Sequence, residues 1–523
     1  MDMKETVKHV ADSLRFRWLR QRWRAILLAV ALPGFMGAVL PQCVRGPSTD
    51  LKASDFVQIS KNGFGYVENW LDLNDYPWGL TYFKPDDAPQ GHVYVSTGNG
   101  IDEQVLYALG QYGFRLPPLR PGEVRRYRPD IGPRNWQSVL DIRNYENGPV
   151  FSTTGFRSLE VYKPASGGHP TYLYAGSMSG TPALWRSSTG EVASWEVVWT
   201  YHERGSIRAM VVHDGILYFS VIPGGEIGDG TPGAIYAHDG DSTWLIENDG
   251  FGNPDNESVW TLVSFNGYVC ASVANRKSGF EVWKFAGSGD KAGPPVRVIE
   301  NGACSPANSA AATSIVFKNH VYFGTQVFAG INTSGAGGLL RGGDLVRLDA
   351  DDRMEVVIGP NSISGIGSGF NRSMNAYMWS MEEYKGDLYV GTWDQSTFYQ
   401  YIVDEFPQSL QDLLALLSSG VDLAGIDISG VKTKAADTDP GYKRSPTILS
   451  VALDMGGDLY RTRNGVKWDT IFTDGLGNPY NYGPRNILAV DDDIYVGMAN
   501  PYEGFEIWRA TTRPVETEAI EVE

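Results

Sequence analysis

The chain has 523 residues, and its net charge of −17 excludes a broad nucleic-acid-binding face. The charge is uneven: residues 1–45 hold eight Lys/Arg against three Asp/Glu, which leaves 36 basic and 58 acidic residues in the rest. Glycine at 61 and aromatics at 12% suit a turn-rich all-β chain, while three cysteines and seven scattered histidines exclude a zinc array.

Residues 1–24 are a basic segment in which Arg15, Arg17, Arg20, Arg22 and Arg24 precede the uncharged run Ala25–Leu40. Positive residues ahead of an apolar run predict export of the downstream chain. Sixteen residues are fewer than the roughly 20 of a full span, and no clean small-x-small cleavage site comes after them. An uncleaved signal anchor (a transmembrane helix) is favoured over a removed signal peptide. The body is thus expected outside the cytoplasm, periplasmic or extracellular, tethered through its N-terminal helix or secreted.

From residue 55 one phrase recurs, an apolar strand, a turn, then a strand of the Leu-Tyr-Val-Gly-Thr type. Its copies centre on Tyr94, Tyr174, Tyr218, Val269, Tyr322, Tyr389 and Tyr495. Repetition at about 40–50 residues, with several strands per unit, predicts a β-propeller, here seven-bladed over 55–510. The last copy stops at its third strand, Phe505–Ala510. Phe56–Ser60, with the turn Asn62–Gly65 after it, resembles a fourth strand and is expected to close the ring.

Several segments depart from the repeat. Residues 110–134, with Arg115, Arg120, Arg125, Arg126, Arg128 and Arg134 among prolines, read as a solvated basic loop, or less favourably as an anion site. Residues 393–455 interrupt the sixth unit and include an amphipathic helix after Pro407. An acidic tail, 511–523, ends the chain. Cys270 reads as a small core residue, with a Cys270–Cys304 disulfide as the lesser alternative. No cofactor is expected. Calcium at a turn such as Asp249–Asn253 is possible chemically, but the turn lacks EF-hand ligand spacing.

The functional pattern is a column at the start of each first strand: Trp78, Arg157, Arg208, Trp260, Ala312, Trp379 and Arg485. Four residues earlier stand Asn74, Thr153, Arg204, Asn256, Asn308, Asn375 and Asn481. In a propeller one aligned column surrounds the tunnel mouth. Guanidinium groups there would take a carboxylate, phosphate or sulfate, with indoles beside them as stacking faces. The competing reading packs the tryptophans between blades and pairs the arginines with acids such as Glu160 or Glu203. The candidate ligand-binding residues are therefore Trp78, Arg157, Arg208, Trp260, Trp379, Arg485, Asn74, Asn256 and Asn375.

One family resemblance emerges at the hairpins after the third strands. Tyr460–Trp468, containing Thr462-Arg463-Asn464-Gly465, resembles the Asp-box turn of sialidase-type propellers. Trp185–Trp195 and His238–Trp244 are similar. The resemblance implies the propeller fold. In that family the turn lies away from the site, and no counterpart of its nucleophilic tyrosine or acid aspartate can be matched here. Three functions are compatible with these features. The first is a ligand or partner binder at the tunnel mouth, taking an anionic small molecule, a saccharide or an envelope protein. The second is a hydrolase or lyase acting on an anionic saccharide, with Glu382, Glu383 or Asp394 as base. The third is a scaffold subunit of an envelope assembly.

Overall fold

The computed structural model describes residues 51–66, 74–98, 121–142, 154–178, 180–224, 231–287, 294–327, 341–397 and 455–512. All of these belong to one unit, Thr49–Pro514. The basic segment, the apolar run 25–40, the helix expected after Pro407 and the acidic tail beyond Thr512 lie outside the described residues. Among the described residues no helix is long and apolar enough to cross a membrane.

The described residues form an all-β structure in which every pairing is antiparallel. Strand β1 (Val57–Gln58) precedes a first set, β2 (Tyr76–Phe83), β3 (His92–Gly98), β4 (Glu123–Tyr127) and β5 (Trp136–Asp141). The second set is β6 (Gly155–Tyr162), β7 (Tyr172–Met178), β8 (Ala183–Ser187) and β9 (Glu196–Thr200). The third is β10 (Gly205–His213), β11 (Ile216–Pro223), β12 (Ala234–His238) and β13 (Thr243–Glu247). The fourth is β14 (Ser258–Phe265), β15 (Tyr268–Ala274), β16 (Glu281–Phe285) and β17 (Val296–Ile299). The fifth is β18 (Asn308–Phe317), β19 (His320–Val327), β20 (Leu345–Leu348) and β21 (Met354–Ile358). The sixth is β22 (Asn375–Tyr384), β23 (Asp387–Asp394), β24 (Leu459–Thr462) and β25 (Trp468–Phe472). The last is β26 (Gly483–Val490), β27 (Asp493–Ala499) and β28 (Glu506–Thr511).

Within each set, strands pair in chain order as a meander. The first strands pack side by side: β2 against β6, then β10, β14, β18, β22 and β26 in turn, and β26 against β2 again. The fourth place in the last set is filled from the other end of the described chain. Val57 of β1 lies opposite Arg509 of β28, and the Ile59 N–H donates to the Ile507 carbonyl at 2.8 Å.

Position within a set decides composition. The second strands lie between neighbouring sets and are buried on both faces, so they read as continuous apolar runs instead of alternating ones. Tyr94, Tyr174, Tyr218, Tyr322 and Tyr389 are fully buried there. Burying one such side chain is worth about 1.5–3 kcal/mol. The fourth strands form the rim and are wet: β9 exposes three of its five residues and β17 two of its four. The fourth set shifts the phrase by one residue. Val263 pairs with Cys270 as Val211 pairs with Tyr218, so Cys270 holds the tyrosine's place in the core. Cys270 and Cys304 are both free thiols, so no disulfide forms, and the Cys304 thiol donates to Asp344 Oδ2 at 3.1 Å. Burial pushes both thiols up to about 12.

The basic stretch is also corrected in part. Two of its described arginines are not in a loop: Arg125 and Arg126 lie on β4, whereas Arg128 comes directly after it and Arg134 lies in the turn before β5. Arg125 bonds Glu123 at 2.8 Å, Arg126 bonds Glu191, and Arg128 bonds Asp130 at 2.6 Å. Glu123 on the same strand and Glu191 and Asp130 in nearby turns therefore compensate Arg125, Arg126 and Arg128, which removes the case for an anion site among these three.

Candidate functional site

All seven column residues share one local cause. Pairing between first and second strands slips between Pro77 and Gly79, Phe156 and Ser158, Ile207 and Met210, and Val259 and Thr261. It slips again between Ala311 and Thr313, Met378 and Ser380, and Pro484 and Asn486. Trp78, Arg157, Arg208, Trp260, Ala312, Trp379 and Arg485 sit at these slips. A β-bulge leaves one residue out of the ladder and re-aims its side chain. The column is thus a repeated bulge, and the equivalence expected from sequence is geometric.

The bulged residues meet in Arg–Trp pairs across set boundaries. The Arg157 guanidinium carbon lies 5.4 Å from the Trp78 ring centroid, Arg208 3.7 Å from Trp260, and Arg485 5.5 Å from Trp379. Each pair joins neighbouring sets, the second to the first, the third to the fourth, the seventh to the sixth. The indoles themselves are walled in, with Trp78 2%, Trp379 7% and Trp260 9% exposed. Glycine makes this possible. A Cβ on Gly155 would stand 2.5 Å from Trp78 Cζ3, one on Gly98 2.3 Å from Trp78 Cε3, and one on Gly483 2.8 Å from Trp379 Cε3. The tryptophans therefore pack set against set, and their faces carry guanidinium on one side and strand backbone on another.

Arg208 is held on two sides. Its Nε donates to the Trp260 carbonyl at 3.1 Å, while its Nη1, fully enclosed, has no hydrogen-bond partner. Ile222, Ala274 and Ala310 pack with Trp260 at this place. A buried donor left without an acceptor costs about 1–3 kcal/mol, a cost that stacking on Trp260 and the Nε bond offset here.

The asparagines belong to a second, separate construction. Asn256 Nδ2 donates to the Gly250 carbonyl at 2.9 Å and to Glu281 Oε2 at 2.8 Å. Asn375 Nδ2 bonds Gly369 at 3.0 Å and Asp458 at 2.7 Å, and Asn74 Nδ2 bonds the Gly63 carbonyl at 3.2 Å. Asn308 and Asn481 repeat the arrangement with Asp344 and Glu506. The amide oxygens of Asn256 and Asn375 accept from Asn275 and Thr392. Asn256, Asn308, Asn375 and Asn481 thereby tie the Gly-rich turn entering their sets to the start of the third strand, while Asn74 holds its turn alone. In those turns Gly63, Gly250, Gly302, Gly369 and Gly475 take left-handed φ of 49–69°, which only glycine adopts cheaply. Asn74, Asn256 and Asn375 are at most 1% exposed, and both Nδ2 hydrogens of Asn256 and Asn375 are used. The structure thus brings Trp78, Arg157, Arg208, Trp260, Trp379 and Arg485 together in pairs and sets the asparagines behind them in the wall.

The acids expected beside the arginines have other surroundings. Glu160 is pushed up to about 7 by burial, against a weaker backbone hydrogen bond from Val161. Glu203 lies 3.6 Å from His202. Glu382, also raised to about 7 by burial, accepts from the Ala489 N–H of the next set at 3.1 Å. Glu160 and Glu382 each stand three residues beyond a bulge, where the third, fourth, fifth and last sets carry Val211, Val263, Ile315 and Leu488. Asp394 is buried and raised to about 7 by burial; it accepts from Ser396 N–H and Oγ–H and from the Gly456 N–H. It therefore braces the two ends of the long insertion. Glu383 is exposed.

Two aromatic residues of this region escape the sequence pattern. Tyr377 and Trp393 pair across β22 and β23, ring centroids 4.4 Å apart, and both are partly exposed. They pack on a cluster of Tyr76, Trp78, Trp379, Tyr480, Tyr482 and Tyr502. The available signal was the tyrosine two residues before the bulge, shared by Tyr76 and Tyr377. Among the described residues no group of three or more His, Cys, Asp or Glu could hold a metal ion. At the turn considered for calcium, Asp249 Oδ1 accepts from the Gly252 N–H and Glu247 accepts from Asp249 and Phe251.

No family model matches the sequence, and no curated relative does. Solved structures with related backbones include a puromycin hydrolase, at 10% identity and a TM-score of 0.43, covering 87% of this chain and 55% of that one. The chain thus spans about half the length of that hydrolase. An α-L-arabinofuranosidase from Fusarium graminearum, bound to an iminosugar inhibitor, is 9% identical with a TM-score of 0.40, over 87% of this chain and 98% of that one. A Trypanosoma rangeli sialidase holding sialic acid is 13% identical with a TM-score of 0.33, over 61% of this chain and 52% of that one. No residue role is carried over from them.

Proposed function

We propose that this chain is an exported seven-bladed β-propeller, held at a membrane through residues 25–40, that binds an anionic ligand at the mouth of its central tunnel. The blade count is supported by the successive four-strand sets, by first strands that pack in a closed series, and by β1 filling the vacant edge beside β28. Export rests on the basic segment ahead of the apolar run alone.

The observation that carries the binding is Arg208. Stacking on Trp260 and the Nε bond to its carbonyl hold the guanidinium still, and its Nη1 has no hydrogen-bond partner. A rigid fork offers a carboxylate, sulfate or phosphate bonds at little entropic cost. Arg157 and Arg485, placed by the same bulge, bring the same chemistry to the same end of the first strands.

Thermal-shift measurements with acetate, sulfate, phosphate and hexuronates test this. A ligand at a hundred times its Kd should raise the melting temperature by a few degrees, about 2–4 °C for a chain of this size. Arg208→Ala and Arg485→Ala should each reduce the shift, and the corresponding lysine variants should keep more of it. A wild-type protein indifferent to every anion would instead favour the scaffold reading, in which the blade faces bind envelope partners.

A further inference from the structure

We propose that the anion is the carboxylate of an acidic sugar, a hexuronate-type pyranose that lies on a shelf formed by Tyr377 and Trp393 beside Arg485. The inference deepens the anion-binding reading at Arg485, another arginine of the same bulged column, and rests on that reading. Trp78, Trp260 and Trp379 cannot stack a sugar, because their faces are already covered. Tyr377 and Trp393 remain partly exposed. Their rings lie 4.4 Å apart with a 36° tilt, and 6.3 and 6.4 Å from the ring of Trp379.

Arg485, itself only partly buried, lies over that same Trp379, so guanidinium and shelf share one supporting indole. An aromatic shelf takes the C–H face of a pyranose, and a planar fork nearby takes its carboxylate in a bidentate pair. Charge narrows the class further. With 36 basic and 58 acidic residues beyond residue 45, a polysulfated or polyphosphorylated ligand would be repelled, whereas one carboxylate per ring suits a local cation. The shelf belongs to the sixth set. Its counterpart in the first set, Tyr76, is buried.

Titration calorimetry on the full chain would compare glucuronate, galacturonate and mannuronate with glucose and acetate. At least one uronate should bind about tenfold or more tightly than both acetate and glucose, because stacking and ion pairing add. Trp393→Ala and Tyr377→Leu should each weaken that uronate about fivefold or more and leave acetate unchanged. Arg485→Gln should weaken uronate and acetate alike. If Trp393→Ala fails to fold, Tyr377→Leu on the opposite strand carries the comparison, with melting curves as the control. Uronate and acetate binding equally, or shelf variants without effect, would overturn the sugar shelf and leave the anion site standing. No anion binding at all would remove both.

Discussion

Gly155 shows how one missing side chain positions a functional one. Its Cα lies against the Trp78 ring, and any Cβ would enter the indole and approach Gly98 Cα at 2.9 Å. Gly155→Ala should therefore cost about 1–3 kcal/mol by overpacking and should also disturb Arg157, which rests on the displaced ring. Chemical denaturation measures the first effect and anion binding the second. Asn375 makes the opposite case, a side chain whose removal leaves partners behind. Asn375→Ala strands the Gly369 carbonyl and one bond of Asp458, and should cost about 2–4 kcal/mol. Asn375→Asp should fare no better, since two carboxylates would then face each other in a buried place.

At the scale of the element, the bulge is the unit that repeats. Each first strand slips at its column residue, and each tryptophan or arginine so released reaches the neighbouring set. The asparagine tie, by contrast, is absent where its acidic partner is absent. The second and third sets carry Thr153 and Arg204 in place of asparagine, and Ala183 and Ala234 in place of Glu281 or Asp458. Neither half is useful alone, since each would leave a buried polar group unsatisfied. These two sets should consequently open first, and hydrogen exchange should show faster opening amides in β8 and β12 than in β16 and β24. The closing strand is the other element with a distinct cost. Ile59 is buried against Val95, Tyr495, Phe505 and Ile507, so Ile59→Ala should lose about 2–5 kcal/mol. It should also promote association through the exposed edge of β28, readable as a concentration-dependent shift in size-exclusion chromatography.

For the whole molecule, buried and half-buried carboxyls set the response to pH. Glu160, Glu382 and Asp394 are raised to about 7 by burial, and Glu506 is raised by burial against hydrogen bonds from Asn481, Asn478 and Trp508. A carboxyl whose folded value exceeds its unfolded one favours the folded state when protonated. That contribution is complete below about pH 4 and is lost as the pH rises through about 7. Asp239, held below the usual carboxylate range by the Ser242 N–H, acts in the opposite sense at the acid end, as does Asp349 through the Arg353 N–H. Thermal stability should therefore peak between about pH 4 and 7 and fall towards about pH 8. The Glu160→Gln, Glu382→Gln double variant should flatten the alkaline side. A melting temperature that rises steadily from about pH 5 to 8 would contradict it.

Much of this architecture could be read from the chain because it repeats. The Leu-Tyr-Val phrase marks strands buried on both faces, and the aligned Trp/Arg column marks one recurring bulge; neither requires knowledge of a distant contact. The closing strand was legible for the same reason, since Phe56–Ser60 and its turn match the fourth-strand ends elsewhere. What the tertiary structure alone decided was the direction in which each side chain faces and what meets it there. Bonds to a turn glycine and an acid set Asn256 and Asn375 in the wall, and a slip in strand pairing laid Arg208 over Trp260. It covered the indoles that looked available for stacking and left Tyr377 and Trp393 partly exposed instead. Such choices depend on atoms from neighbouring sets, contributed by residues such as Gly155 and Gly483 that carry no side chain to announce them.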